Sequence, residues 1–416
     1  MRKIGIHNFG PITEAYITVK KVTVFMGNQG SGKSTAAKLI STFAWIEKFL
    51  LRQRILDPPI PLMRRDLRYI NPTTLKYINK EFKKFLGYHR IESYLKNYTK
   101  INYFGDYYKI AYNHNKFQID KIGDNDLLPK ITYFPAERNF VSSIKKYKEG
   151  NGFQLWSQAL QEFKEIFQEA KTNLKDRKTI NLPIEGASIE YNQLSDILYV
   201  KGDDYKIPLS DSASGFQSVV PMYVVAEYLS KITETEQKMD DAEREQFIKQ
   251  STLILNNPFY SQEQKDILLS RLAGGINIQS IFNIIEEPEQ NLFPTSQRSM
   301  LFALLQFNNV SEHNSMIITT HSPYIVGNMT LAMKTAELYK KTSNNEIRKK
   351  IASIVPEMSS INADDVIIYE FDDKTRTVSE LEIQNGLPSD NDYLNNALGD
   401  TNDLFCDLLE LEEQCQ

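Results

Sequence analysis

The stretch that most constrains this chain is residues 27–34, Gly-Asn-Gln-Gly-Ser-Gly-Lys-Ser, which fills every fixed position of the phosphate-binding pattern G-x-x-x-x-G-K-[ST]. An apolar run at residues 22–26 precedes it and predicts a strand. Residues 34–50 follow and predict a helix with one apolar face. That face carries Leu39, Ile40, Phe43, Ile46 and Leu50. Strand, glycine loop and helix in this order are the context that the pattern requires.

The loop predicts a nucleotide site. Its glycines let backbone N–H groups converge on phosphate oxygens, and the positive end of the next helix favours the same negative charge. We expect Lys33 to reach the β- and γ-phosphates and the Ser34 hydroxyl to ligate magnesium. The predicted nucleotide-binding residues are therefore Gly27, Asn28, Gln29, Gly30, Ser31, Gly32, Lys33, Ser34 and Thr35.

Two later apolar strands end in residues that can do chemistry. Residues 280–285 run into Glu286 and Glu287, and two carboxylates beside a phosphate loop suit magnesium binding and activation of a water molecule. A surface acidic turn fits poorly with so apolar a strand. Residues 315–320 end in His321, and a histidine at the carboxyl edge of a parallel sheet lies on the ligand-binding side of such folds.

Two weaker signals lie between these motifs. Arg138 follows a strand at residues 131–134, and it could bind a phosphate or form an ion pair with Glu137; both readings stay open. Residues 209–218 open a helix that is predicted to run to about Leu229, and their small hydroxyl side chains predict a second anion-binding helix start.

The remaining segments predict a large α/β protein with insertions. Residues 3–26 alternate as two strands around Gly10-Pro11 and are expected at the sheet edge that leads into the loop. Their predicted apolar positions are Ile4, Ile6, Tyr16, Ile17 and Val19. Residues 101–134 and 189–207 read as strands, 140–180 as a helical lobe, 231–280 as a polar helical insertion, and 366–371 as part of a hairpin.

Charge is unevenly distributed along the chain. Residues 51–100 hold 12 Lys and Arg against four Asp and Glu, and we interpret them as an inserted basic helical arm. Their tyrosines could belong to a nucleic-acid surface, but without a recognisable module solvated helix faces are the favoured explanation. Residues 386–416 form an acidic tail without Lys or Arg. Its Cys406 and Cys415 are expected to be free thiols.

No apolar run approaches the roughly 20 residues that a membrane span needs. The first residues enter a strand pattern directly, without a signal peptide. We therefore expect a cytoplasmic protein without a membrane partner.

The four motifs, in this order, resemble those of ABC-type ATPases, in the branch that contains the SMC, RecF and OLD-type proteins. The resemblance implies an α/β P-loop fold over residues 1–416, with a mixed central sheet, an antiparallel β subdomain, a helical lobe and no long coiled coil. It implies ATP and Mg²⁺ as cofactors and a nucleotide sandwich between two protomers. Glu286 replaces the usual aspartate, and Phe216 replaces the second glycine of the signature.

Residue roles follow from the same resemblance. Glu286 takes the magnesium position with Ser34, Glu287 is the catalytic base, and His321 is the switch histidine at the γ-phosphate. Residues 288–292 form the loop that crosses the dimer. The signature residues Ser214, Gly215 and Gln217 bind the nucleotide of the opposite protomer, and Arg138 links the nucleotide to the helical lobe.

The segments between the motifs distinguish this chain from the SMC and OLD-type proteins of that branch. Prolines and strand patterns stand where an SMC protein has long heptads, and the chain after His321 lacks the paired acidic strands of a Toprim nuclease. What remains resembles stand-alone ATPases of bacterial anti-phage modules, such as AriA of PARIS systems or the ATPase part of PtuA in Septu systems. That implies a homodimer or higher oligomer that senses a trigger and controls a separate nuclease or other toxin. The alternatives are a RecF-like DNA-binding ATPase of repair or replication and an ATP-binding scaffold that does not need hydrolysis.

Overall fold

The computed structural model describes residues 1–56, 72–123, 129–146, 156–174, 179–232, 280–384, 386–389 and 392–414, with a few residues between 248 and 269. The first part of the basic arm and most of the insertion at 231–280 lie outside the described residues.

The strands are β1 (Lys3–Phe9), β2 (Ile12–Thr18), β3 (Val22–Gly27), β4 (Lys100–Phe104), β5 (Tyr108–Asn113), β6 (Lys116–Lys121), β7 (Pro129–Phe134), β8 (Ile180–Asn181), β9 (Ser188–Asn192), β10 (Ile197–Lys201), β11 (Lys206–Pro208), β12 (Ser280–Glu286), β13 (Ser315–Thr320), β14 (Val366–Phe371), β15 (Val378–Glu380), β16 (Ile383–Gln384) and β17 (Leu387–Pro388). The α-helices are α1 (Lys33–Leu56), α2 (Pro72–Tyr88), α3 (Gln158–Thr172), α4 (Ser214–Ile232), α5 (Pro294–Asn309), α6 (Pro323–Lys341), α7 (Asn345–Ala352) and α8 (Tyr393–Gln414).

The central sheet has six strands in the order β15-β14-β3-β13-β12-β7. Five of them run parallel and β15 pairs antiparallel at the edge, so the sheet is mixed, as expected. Strands β3, β12 and β13 are buried nearly throughout, because both sheet faces are covered. Their adjacent carboxyl ends bring the glycine loop, Glu287 and His321 to one sheet edge.

The helices cover the sheet in two layers. Helix α1 packs on one face, where its predicted apolar stripe is buried together with α2. Helices α3 to α6 build a second core on the other face. A four-stranded antiparallel sheet, β11-β10-β9-β8, joins that second core, and its Val200 is fully buried. The mixed α/β class with antiparallel β additions is confirmed.

The expected place of the first two strands is wrong. β1 and β2 lie in a separate five-stranded antiparallel sheet, β2-β1-β4-β5-β6, and not at the edge of the central sheet. The cause is β4, because its residues Lys100–Phe104 pair with β1 across nearly a hundred positions of sequence. Tyr16 was predicted as one of the apolar positions of these strands, and its side chain is 63% exposed on the outer face of this sheet.

Strand β14 has one partner that the sequence did not predict. It does form a hairpin with β15, as predicted, but it also pairs in parallel with β3 beside the phosphate loop. The sequence cannot reveal such a pairing, because the residues of a short buried strand do not indicate which strand lies beside it. The pairing places Asp373 close enough to accept a hydrogen bond from Asn28 Nδ2 at 3.1 Å. In the described part of the chain, no helix combines the length and apolarity needed to cross a membrane.

Candidate nucleotide site

At two glycines of the phosphate loop, a positive φ coincides with a close approach of neighbouring atoms. Gly27 has φ 138°, and a Cβ there would lie 2.4 Å from the carbonyl oxygen of Phe371. Gly32 has φ 109°, and a Cβ there would lie 2.8 Å from Ile12 Cγ1. Both φ values belong to the region that side chains other than glycine avoid. The loop ends where α1 begins at Lys33, so the predicted order of strand, loop and helix is confirmed.

Lys33 folds back under the loop. Its Nζ donates to the carbonyl oxygens of Gly27 at 2.9 Å and Asn28 at 2.7 Å, and it lies 3.4 Å from Ser31 Oγ. Burial lowers the pKa of Lys33 to about 8, against the opposing pull of Glu287, Glu289 and Asp373. The side chain is only 4% exposed, so its charge has few competing water contacts.

The lowered pKa of Lys33 predicts a pH dependence of nucleotide affinity. Below pH 8 the ammonium attracts phosphate, whereas above it the free protein carries a neutral amine that must first gain a proton. We expect ATP affinity to be flat at lower pH and then to fall by up to about tenfold per pH unit. Calorimetric titration between about pH 6 and pH 10 checks this. In the Lys33→Arg control the guanidinium stays charged throughout, so its profile should stay flat.

His321 and Glu287 meet in front of Lys33. His321 Nδ1 lies 3.4 Å from Lys33 Nζ, and His321 Nε2 lies 3.4 Å from Glu287 Oε1. The ammonium of Lys33 can only donate a hydrogen bond, so His321 Nδ1 is the acceptor. The proton of the neutral imidazole ring therefore lies on Nε2, facing the Glu287 carboxylate. The hydrogen bond from His321 lowers the pKa of Glu287, so Glu287 is ionised at neutral pH.

The backbone turn at Glu287 aims its side chain. Its φ is 43°, in the left-handed region, and its N–H donates to Thr319 O at 2.9 Å, one step beyond the β12–β13 ladder. A non-glycine residue adopts this conformation only where its surroundings enforce it, and such strain is concentrated at functional sites.

Glu289 holds the histidine from behind. Its Oε1 accepts hydrogen bonds from the His321 N–H and the Thr320 hydroxyl, both at 2.7 Å. Its Oε2 is buried and has no hydrogen-bond partner within the described ranges. Burial raises the pKa of Glu289. Sequence reasoning missed this role, although the third carboxylate in Glu286-Glu287-Pro288-Glu289 was a visible signal.

Glu286 lies near the loop but has other partners. Its Oε1 accepts from the Tyr133 hydroxyl at 2.6 Å, and its Oε2 accepts from the Ala136 N–H at 3.0 Å. Lys38 Nζ lies 3.8 Å from the same carboxylate. Ser34 and Glu287 line the cavity at the loop, and their oxygens are donors that Mg²⁺ accepts together with retained waters. These residues fit the ion, whereas the magnesium role of Glu286 stays a prediction.

Arg138 lies in the protein interior, where its side chain binds backbone carbonyl oxygens. Its guanidinium is completely buried and donates to the carbonyl oxygens of Glu286 and Glu287, each at 2.6 Å. It also donates to Pro135 O at 3.2 Å and Ser218 O at 3.3 Å. It forms no ion pair with Glu137 among these contacts, and it does not line the cavity. The structure thus gives Arg138 the task of fixing the carboxyl end of β12 to α4.

The signature residues lie away from the cavity of their own chain. Ser214 begins α4 and is exposed, as the sequence predicts for a helix start. Gly215 approaches the loop after β12 so closely that a Cβ would lie 2.8 Å from Asn291 O. The Gln217 amide donates to Ser212 O at 2.8 Å and holds the preceding loop.

A cavity of about 230 Å³ opens over the phosphate loop. The predicted residues that the structure brings together around it are Gln29, Gly30, Gly32, Lys33, Ser34, Thr35, Glu287 and His321. Lys38, Ile91 and Tyr94 also line it, and the sequence did not single them out for this role. These residues can hold phosphate at the end of the cavity that contains Lys33 and a larger group at the end that contains Tyr94.

No protein-family profile matches the sequence, and no curated protein matches it. Among solved structures, an SMC head bound to the C-winged helix domain of ScpA is 8% identical with a TM-score of 0.36, over 92% of this chain and 98% of that one. The SMC head domain from Thermotoga maritima is 10% identical with a TM-score of 0.32, over 78% and 90% of the two chains. RecF of the RecFOR pathway is 12% identical with a TM-score of 0.28, over 91% and 97%.

Proposed function

We propose that this chain is an ABC-type ATPase that binds ATP with Mg²⁺, hydrolyses it slowly between two protomers and controls a separate effector protein in anti-phage defence. The observation that carries the ATPase part is the convergence of Lys33, Glu287 and His321, from three neighbouring strand ends, on one glycine loop. A structural histidine or an ordinary acidic turn would not need all three at this edge.

Each side chain has a task in the proposed reaction. Lys33 neutralises charge on the β- and γ-phosphates once it leaves the loop carbonyls. Glu287, whose ionised form His321 stabilises, accepts a hydrogen bond from the attacking water and orients it toward phosphorus. His321 contacts the γ-phosphate, and Glu289 keeps its backbone in position. Bound magnesium, held by Ser34, supplies further neutralisation of the phosphate oxygens.

The nucleotide sandwich is proposed from the position of the signature. Ser214 is exposed and does not line its own cavity, so it is free to face the cavity of a second protomer. ATP would then join two chains, and loss of the γ-phosphate would release them. Such an enzyme works as a switch, and its bound state is the signal.

The effector role is tested by purifying the Glu287→Gln protein with ATP from its native host. We expect a second protein in stoichiometric amount, which is absent from the Lys33→Ala protein because that variant cannot reach the ATP-bound state. Co-purification of that protein with both variants would contradict control by ATP. Full biological activity of Glu287→Gln would favour the scaffold that does not need hydrolysis.

One observation favours the RecF-like alternative. Helix α2 buries Ile78, Phe82 and Leu86 and leaves a row of lysines exposed on its outer side. That row is Lys76, Lys80, Lys83 and Lys84. Duplex DNA that co-purifies with Glu287→Gln without any protein, and is lost on neutralising Lys80 and Lys83, would favour this function over effector control.

A further inference from the structure

The outer face of the five-stranded sheet is open in the described structure. Its inner face is core, where Tyr103, Ile110 and Phe117 pack with α2 and are at most 7% exposed. Successive residues of a strand point to opposite faces, so the alternate residues face away from that core. Within the described residues, most side chains on this second face are exposed or partly exposed, whereas both faces of the central sheet are covered.

Strand register arranges the outward residues in three rows across the sheet, which we call the sheet platform. The middle row is Tyr16, Gly5, Asn102, Ala111 and Gln118. One flanking row is Thr18, Lys3, Phe104, Lys109 and Asp120. The other is Glu14, His7, Lys100, Asn113 and Lys116.

Two aromatic rings are exposed on the sheet platform. Tyr16 is 63% exposed and Phe104 is 40% exposed, although neither is needed to close the core. Gly5 leaves room beside Tyr16, since a Cβ there would contact the tyrosine ring at 3.4 Å. His7 fixes that ring through a 3.2 Å contact between Nε2 and the tyrosine hydroxyl.

The rest of the sheet platform is basic and polar. Lys3, Lys100 and Lys116 are exposed, and Lys109 Nζ lies 5.0 Å from the centre of the Phe104 ring. Against these four lysines the sheet platform has two carboxylates, Glu14 and Asp120. Glu14 Oε1 lies 3.5 Å from His7 Nδ1. Asn102 and Gln118 are exposed amides, which can both donate and accept hydrogen bonds.

We propose that the sheet platform binds single-stranded nucleic acid. Aromatic rings on a sheet stack unpaired bases, lysines attract the phosphates, and amides reach base edges. Tyr16 and Phe104 are two strands and two residues apart, which puts their Cα atoms about 12 Å from each other and leaves room for separate bases. A duplex hides the ring faces of its bases, so it cannot stack in this way. The proposal does not depend on the ATPase function.

The test is fluorescence anisotropy of the full chain with labelled oligo(dT) and oligo(U) of about 20 nucleotides. Tyr16→Ala and Phe104→Ala are each expected to weaken binding about tenfold through lost stacking. Tyr16→Phe keeps the ring and should bind like the wild type. Replacing both Lys100 and Lys116 by Gln should reduce the slope of log affinity against log salt by about 1.4, the value for two phosphate contacts.

The matched control is the double change Lys80→Gln and Lys83→Gln, which removes the same charge from α2 on the other side of the sheet. It should leave oligonucleotide binding nearly unchanged, and the melting temperature of each variant reports its folding. Preference for oligo(dT) or oligo(U) identifies DNA or RNA as the ligand, and either supports the proposal. Absence of binding, equal binding of duplex, or a loss confined to the α2 variant would overturn it.

Discussion

Lys33→Ala and Ser214→Arg proteins are each expected to lose ATP hydrolysis and to recover it when mixed. Lys33→Ala lacks the charge that holds the phosphates, whereas Ser214→Arg blocks the surface that would close the partner's site. In a mixed dimer, one cavity combines an intact Lys33 with an intact Ser214 from the other chain. Random mixing gives such a cavity to half of the dimers, so about a quarter of wild-type activity should return.

Ser343→Arg is the control for this experiment, because it makes the same change at an exposed residue outside the site, between α6 and α7. It should hydrolyse ATP like the wild type. Ser214→Arg should still bind ATP in its own cavity, since Ser214 does not line that cavity. Normal turnover by Ser214→Arg alone would contradict the sandwich, as would a mixture that exchanges chains but stays inactive.

The sequence predicts which residues meet at this site better than it predicts the contacts that hold them in place. The loop pattern, Glu287 and His321 could be found because each stands directly after a buried strand, and parallel strands bring such ends together. The contacts that hold these residues in place have no comparable pattern in the sequence. Arg138 could bind phosphate or an acid as far as its sequence shows, but its donors reach the carbonyl oxygens of Glu286 and Glu287.

Pairing over long sequence distances limits prediction of the fold in the same way. The alternation in residues 3–26 predicts the two strands around Gly10-Pro11, which are β1 and β2, but it cannot show that β4 pairs with β1. That neighbour decides which sheet they join, and it therefore decides that Tyr16 is exposed on an outer face. The same limit hid the contact between Asn28 and Asp373, because it depends on β14 lying beside β3.

The loop after β12 connects the elements on which the proposed switch depends. Arg138 ties its start to α4 through Ser218 O, and the Ser218 hydroxyl lies 3.3 Å from Gln290 Oε1. Further along, Glu289 holds His321, and Gly215 lies against Asn291. In the proposed dimer, a partner that presses on residues 288–292 would therefore act on both α4 and His321. In the proposed dimer, this arrangement would provide a physical route from the contact between protomers to the proposed ATPase site.

Glu287→Gln is expected to slow ATP hydrolysis by about 100-fold to 10,000-fold, the usual contribution of a general base. The amide cannot accept the proton of the attacking water, but it keeps the size of the carboxylate and still accepts a hydrogen bond from His321. ATP should bind at least as tightly as in the wild type, because a negative charge beside the phosphates is removed. Single-turnover hydrolysis and ATP titration measure the two effects separately.

The matched control is Glu137→Gln, which removes the same charge from an exposed side chain outside the loop cavity and should leave hydrolysis unchanged. With ATP, Glu287→Gln should also accumulate as a dimer, since the γ-phosphate that joins the protomers persists. Light scattering after size-exclusion chromatography reports that state. Full turnover by Glu287→Gln would remove Glu287 from the role of base. Slow turnover together with lost ATP affinity would instead make Glu287 part of the binding site for the nucleotide.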